Sequence, residues 1–236
     1  MVDIKNIAKE KLHAGELAIG VGLRQARTVD IAKAMKTAGL DWLFIDMEHN
    51  SMNLDTATQI SVTAQDVGIT PLLRVPGFQH FHASRALDGG AQGIVVPHVD
   101  TKETAIQMVR QCKYPPIGHR SVAGAQPMLD FQSFPMAEAT KAVNNATLTV
   151  LMLETPTAIR NANDIASVEG VDCLLIGTNP RFEASLLNVR LRKRMVRGLF
   201  TVGTIGLTED LTYKSENLGV ATENLVAVLE GKHPFC

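Results

Sequence analysis

Cysteine is scarce in this 236-residue sequence: Cys112, Cys173 and Cys236 are the only three, and they are far apart. So few scattered thiols exclude a disulfide framework and a spaced zinc site, and the expected setting is reducing and cytoplasmic. An excess of charge of either sign is also missing. With 23 Lys and Arg against 24 Asp and Glu, the formal net charge of −1 gives no reason to expect a nucleic acid, a membrane surface or a polyanion as partner. Arg190, Arg192, Lys193, Arg194 and Arg197 form one basic cluster, which reads as the solvated face of a helix. No run approaches the ~18 apolar residues of a membrane span, and the opening MVDIKNIAKEKLHAG has no apolar signal core, so a soluble protein is expected.

What is present is 45% hydrophobic residues, enough for one sizeable core, arranged as short apolar runs between helical patterns. LAIGVGL (17–23), WLFID (42–46), TPLLRV (70–75), GIVVPHV (93–99), LTVLMLE (148–154) and DCLLIG (172–177) have the near-continuous apolarity of strands buried on both faces. TVDIAKAMKTAG, HASRALDGGA and TKETAIQMVRQC carry helical spacing and end at Gly or shortly before Pro. This alternation predicts parallel strands joined by crossover helices. LFTVGTIG (199–206) and NLGVATENL (217–225) are weaker candidates that would bring the strands to eight. The expected fold is therefore one α/β domain over residues 1–236, a (β/α)8 TIM barrel, with a long loop-rich connection at 112–147.

In such a barrel the chemistry gathers at the C-terminal ends of the strands. Those ends carry Asp46 and His49, Arg74, His98 and Asp100, Glu154, and Thr178 with Asn179. An Asp three residues before a His can hydrogen-bond one ring nitrogen and leave the other as a base. In the plainer reading Asp46 caps the following turn and His49 is merely exposed. Glu48 reads as a solvated or interface residue. Arg74 interrupts an apolar strand, and a buried guanidinium needs a carboxylate. Its planar fork suits the carboxylate of a 2-oxo acid, while an internal ion pair with Asp46 or Glu154 would satisfy it equally. Glu154 closes an apolar run, where a divalent cation would satisfy its charge. A helix-capping role competes, and Thr155 can fill that post instead.

IDMEH, LLRVPG, GAQGIVVPHVDT, KYPPIGHRSV, LMLETPTAI and VDCLLIGTN occur in this order between about residue 15 and Asn179. Together they resemble the HpcH/HpaI family of class II pyruvate-dependent aldolases, which includes 2-dehydro-3-deoxyglucarate and 4-hydroxy-2-oxoheptanedioate aldolases. The resemblance implies a TIM barrel of the phosphoenolpyruvate/pyruvate superfamily type, assembled as a homo-oligomer (hexamer or trimer). It also implies a lyase that joins or cleaves a 2-oxo acid enolate and an aldehyde with Mg²⁺, Mn²⁺, Co²⁺ or Zn²⁺, without a lysine Schiff base. By the same resemblance His49 is the catalytic base oriented by Asp46, and Arg74 binds the oxo-acid carboxylate and steadies the enolate. Glu154 is then a metal ligand, with Thr178 and Asn179 beside the substrate.

The pattern breaks after Asn179. Where the family reads IGTNDLS or IGPADLS, this chain reads IGTNPRFEAS, so the second metal-ligating Asp is replaced by Pro180. Proline has neither a side-chain oxygen nor an N–H, and Glu183 is the nearest following carboxylate. Two other readings remain open: a catalytically impaired barrel that keeps a 2-oxo acid pocket, and a citrate-lyase-like CoA-ester lyase.

Overall fold

The computed structural model describes residues 2–176 together with two short strands, Gly203–Thr204 and Glu216–Asn217. The chain divides into two compact units, Met1–Gly177 and Thr178–Cys236. In the first, helix α1 (Ile7–His13) precedes six strands: β1 (Gly20–Leu23), β2 (Trp42–Asp46), β3 (Thr70–Arg74), β4 (Gly93–Val96), β5 (Leu148–Met152) and β6 (Cys173–Leu175). They form one parallel sheet in sequential order. Each crossover carries helix: α2 (Asp30–Thr37), α3 (Leu54–Asp66), α4 (His80–Asp88), α5 (Lys102–Cys112) with α6 (Met136–Ala146), and α7 (Pro156–Arg160) with α8 (Ala162–Ala166).

Local chemistry sets the helix starts. Asn6, Asn53, Thr101 and Thr155 each accept from the backbone N–H three residues on, satisfying one orphan donor at the start of α1, α3, α5 and α7. The apolar runs are continuous because both faces of the sheet are covered. Leu72, Val95, Leu148, Val150 and Met152 pack with Trp42, Phe44, Cys173, Leu175 and Ala8 on one face. Leu43, Ile45, Leu73, Ile94, Val96 and Leu151, the alternate residues, are fully buried on the other.

The N-terminal ends of the strands are closed by a polar network. Asn6 Nδ2 donates to the carbonyls of Gln92 and Ala146, and Lys9 Nζ donates to that of Thr147 while pairing with Asp172 at 2.8 Å. Lys113 Nζ donates to the carbonyls of Asn144 and Thr147 and lies 3.6 Å from Asp172 Oδ2.

The connection 112–147 is loop-rich as expected, and it also carries a 3-10 turn (Pro127–Leu129) and the eleven-residue α6. Within α6, MAEATKAVNNA, the buried residues are Val143, Asn144 and Ala146. Of the weak strand candidates, 199–206 contains Gly203–Thr204 (β7) and 217–225 begins at the second residue of Glu216–Asn217 (β8), and these two short strands pair in parallel in a two-stranded sheet. The rest of those segments, the basic cluster 190–197, Thr178, Asn179, Pro180, Glu183 and Cys236 lie outside the described residues.

Candidate active site

The period of two that sets Phe44, Leu72 and Met152 on one face continues one step further, to Asp46, Arg74 and Glu154. Strand register puts Asp46 directly beside Arg74. Arg74 donates through Nε to Asp46 Oδ1 at 2.9 Å and through Nη2 to Oδ2 at 2.6 Å, the two-point geometry of a strong guanidinium–carboxylate pair. Its third nitrogen, Nη1, lies 3.1 Å from Glu48 Oε2, and its guanidinium carbon stands 5.2 Å from the centre of the Phe44 ring. Asp46 and Arg74 are 2% and 8% exposed. Burial on its own would raise the Asp46 pKa. Arg74 and the backbone N–H groups of Glu48 and His49 outweigh it, so the carboxyl is held below its ordinary value.

Asp46 meets His49 through the main chain. Its Oδ1 accepts from the N–H of Glu48 at 3.0 Å and of His49 at 3.3 Å, which is the turn-capping role. The expected bond from Asp46 to the His49 ring is absent because Arg74 and these N–H groups take up the carboxylate. The ring instead lies with Nε2 3.6 Å from Glu48 Oε2, on a side chain that is 55% exposed. Arg24, just past β1, donates to the His49 carbonyl at 3.1 Å, and its Nε is 3.8 Å from Asp46 Oδ2.

Of the two readings of Glu48, solvated or interface, the first does not hold in this structure. Its side chain is only 11% exposed and joins Arg74 to His98, whose Nε2 is 3.2 Å from Glu48 Oε1. On the other side of the ring, His98 Nδ1 lies 3.2 Å from Glu154 Oε2, and that same oxygen accepts the His98 backbone N–H at 2.8 Å. Capping of α7 falls to Thr155, which accepts from the Ala158 N–H at 3.0 Å and donates to Asp100 Oδ1 at 2.5 Å. Asp100 thereby ties two strand-end loops together.

Asp46, Arg74, Glu48, His98 and Glu154 thus form an unbroken series of contacts across the C-terminal ends of β2, β3, β4 and β5. From the sequence, His98 stands among the strand-end residues and Glu48 reads as solvated or interface, neither with a catalytic or binding role. The signal for Glu48 was available, because it stands one further period of two beyond Asp46. His98 was hidden. Alternation from Val95 points Pro97 inward and His98 outward, and the left-handed backbone at His98 (φ 56°) breaks that alternation.

The donor set suits a divalent cation. Glu154 Oε1 has no partner among the described residues, and carboxylate with imidazole is a common pairing for Mn²⁺, Co²⁺ and Zn²⁺. Among the described residues no group of three or more His, Cys, Asp and Glu side chains could hold a metal ion.

In parallel α/β folds, ligand and active sites lie at the C-terminal strand ends, where this chain gathers acid, guanidinium and imidazole groups. The chain belongs to the HpcH/HpaI aldolase/citrate lyase family, whose model matches residues 24–185. That match runs past Asn179 and includes Pro180 and Glu183. The chain is 38% identical over 183 residues to the 4-hydroxy-4-methyl-2-oxoglutarate aldolase tasA of Hapsidospora irregularis, covering 75% of this chain and 66% of that protein. It is 35% identical over 179 residues to the 2-keto-3-deoxy-L-rhamnonate aldolase of Escherichia coli K12, covering 74% and 64%. The match therefore spans just under two thirds of these curated relatives. The crystal structure of an HpcH/HpaI aldolase from Desulfitobacterium hafniense aligns over 97% of this chain and 88% of that one, with 26% identity and a TM-score of 0.75.

Proposed function

We propose that this chain is a class II carbon–carbon lyase that forms or cleaves 4-hydroxy-2-oxo acids from a pyruvate-type 2-oxo acid and an aldehyde. The observation that carries this reading is the series of contacts from Asp46 to Glu154 at the C-terminal strand ends, in a chain whose relatives are named aldolases. The same relationship supports closure of the six-stranded sheet into a (β/α)8 barrel in a single domain, homo-oligomeric assembly and a cytoplasmic setting. Pyruvate and its aldehyde partner are small molecules, and no helix among the described residues is long and apolar enough to cross a membrane.

Asp46 fixes Arg74 and shapes the turn that presents His49. Arg74 spends its fork on Asp46, so it meets a substrate oxygen through the remaining N–H bonds of Nη1 and Nη2, opposite the negative charge that develops as the carbon–carbon bond breaks. His49, exposed and free of Asp46, takes the proton from the C4 hydroxyl during cleavage and returns it during synthesis. Glu154 holds the divalent cation, Mg²⁺, Mn²⁺, Co²⁺ or Zn²⁺, which when bound supplies a Lewis acid for the 2-oxo oxygen. Thr178 and Asn179 complete the substrate side of this proposal.

Release of pyruvate from a series of 4-hydroxy-2-oxo acids, coupled to lactate dehydrogenase, tests the reading. The expected result is turnover that a chelator abolishes and added Mn²⁺ restores. No pyruvate from any member of the series, with or without metal, would refute it. Pro180 favours a second reading, a barrel that binds pyruvate but turns nothing over, and calorimetric binding without turnover would establish that case.

A further inference from the structure

Glu154 alone is a weak anchor, because such ions are normally held by one or two carboxylates plus substrate oxygens. The carboxylate that the family pattern supplies after β6 is Pro180 in this chain. We propose that His98 Nδ1 is the second protein ligand of the cation held by Glu154, and that Glu48 orients the imidazole from its far side. The proposal rests on the metal-dependent reading above and adds a ligand to it.

Three observations support the assignment. His98 Nδ1 and Glu154 Oε2 are 3.2 Å apart, while two donors each about 2.1 Å from one ion and at right angles are about 3 Å apart. The ring's other nitrogen faces a carboxylate, Glu48 Oε1 at 3.2 Å, and this is the outer-shell partner that fixes the tautomer of a metal-ligating histidine with Nδ1 left as the lone-pair donor. The backbone at His98 is left-handed (φ 56°), a conformation that residues other than glycine seldom adopt, and the Glu154 oxygen facing the ring also accepts the His98 N–H at 2.8 Å. Glu154 thus holds in place the backbone that brings the imidazole to it. The His98 side chain is 60% exposed, so an ion and its waters can reach it. An imidazole in place of a carboxylate also changes which metal is favoured, from Mg²⁺ toward Mn²⁺, Co²⁺ and Zn²⁺.

Electron spin echo spectroscopy of the full chain with Mn²⁺, with natural-abundance and ¹⁵N-labelled histidine, reads the ligand directly and without a variant. The expected result is a directly coordinated histidine nitrogen in the parent, lost in His98→Asn, where asparagine tolerates the left-handed backbone. Mn²⁺ affinity should fall roughly 100-fold in His98→Asn and about ten-fold in Glu48→Gln, the range for disturbing a ligand's outer partner. Mg²⁺ affinity should fall less. Mn²⁺ bound by the parent without nitrogen coupling, or with coupling that survives His98→Asn, would reduce the His98 contacts to an internal ion pair and leave the lyase reading standing. A parent that binds no Mn²⁺, with or without pyruvate, would overturn both.

Discussion

Replacing Asp46 by Asn removes one charge from beside Arg74 with almost no change in shape. The two residues are 2% and 8% exposed and share bonds of 2.9 and 2.6 Å, so the guanidinium cannot find water instead. Removing one member of a buried ion pair commonly costs about 3 to 5 kcal/mol, because the other charge stays behind. Glu48 Oε2, 3.1 Å from Nη1, still compensates Arg74, which sets the expected loss at the lower end, about 3 kcal/mol. The amide oxygen can still accept from the N–H groups of Glu48 and His49, so the turn survives and the measurement isolates the charge. Urea unfolding followed through Trp42 is the assay, since this single tryptophan lies in the same strand. The pH dependence supplies a second check. A folded pKa below the ordinary value means that Asp46 contributes its stability above the unfolded carboxylate pKa of about 4 and loses it as pH falls through the folded value. The gap between parent and variant should therefore narrow in acid. Equal unfolding midpoints at neutral pH, or a gap that does not shrink in acid, would refute this account.

Gly20→Ala should destabilise β1 against β2 by roughly 1 to 3 kcal/mol, because an added Cβ would stand 2.1 Å from Trp42 Cδ2, and the shift should show in tryptophan emission. Burial, helped by the charge of Lys9, lowers the Lys113 pKa to about 8 from 10.5 against the pull of Asp172. The unfolded chain then binds more protons above pH 8, so stability should rise by about 1 kcal/mol between pH 8 and 9. Beyond pH 9 the gain should level off, because Cys112, pushed up to about 12 by burial, loses its proton first in the unfolded chain. Urea midpoints across this range should show the rise in the parent and lose it in Lys113→Met. His49→Ala should lower retro-aldol turnover by roughly 10² to 10⁴ while leaving the Trp42 unfolding transition in place, and parent-like turnover would remove His49 from the chemistry.

Much of this arrangement is written in the apolar runs. Strands buried on both faces announce themselves as continuous Val, Ile and Leu, and the first polar residue at the inward parity, Asp46, Arg74 or Glu154, marks the rim of the core. That logic finds positions but not partners. It left a substrate carboxylate and an internal carboxylate open for Arg74, because both satisfy the same fork, and strand register places Asp46 beside it. It left Asp46 between the His49 ring and the cap of the turn, and the cap is what forms, with Arg74 and two main-chain N–H groups donating to that carboxylate. His98 depended on a backbone conformation that the side-chain pattern does not encode.

Buried charge appears at both ends of the strands, so charge alone does not mark the site. At the N-terminal ends Lys9 and Lys113 are 9% and 2% exposed, each donates to a main-chain carbonyl, and both converge on Asp172. That network joins main-chain carbonyls to one carboxylate, and burial disfavours the charge on Lys113 within it. At the C-terminal ends the contacts begin in a buried pair, Asp46 with Arg74, and finish at His49 and His98, whose side chains are 55% and 60% exposed. The inner half anchors and the outer half is open to react. Substitutions should divide accordingly. Asp46→Asn should move the unfolding midpoint first and turnover as a consequence, whereas His49→Ala should reduce turnover with the midpoint held. If the inner substitution left stability intact and abolished turnover, Asp46 would belong to the chemistry itself, and the division between anchor and reactive rim would have to be abandoned.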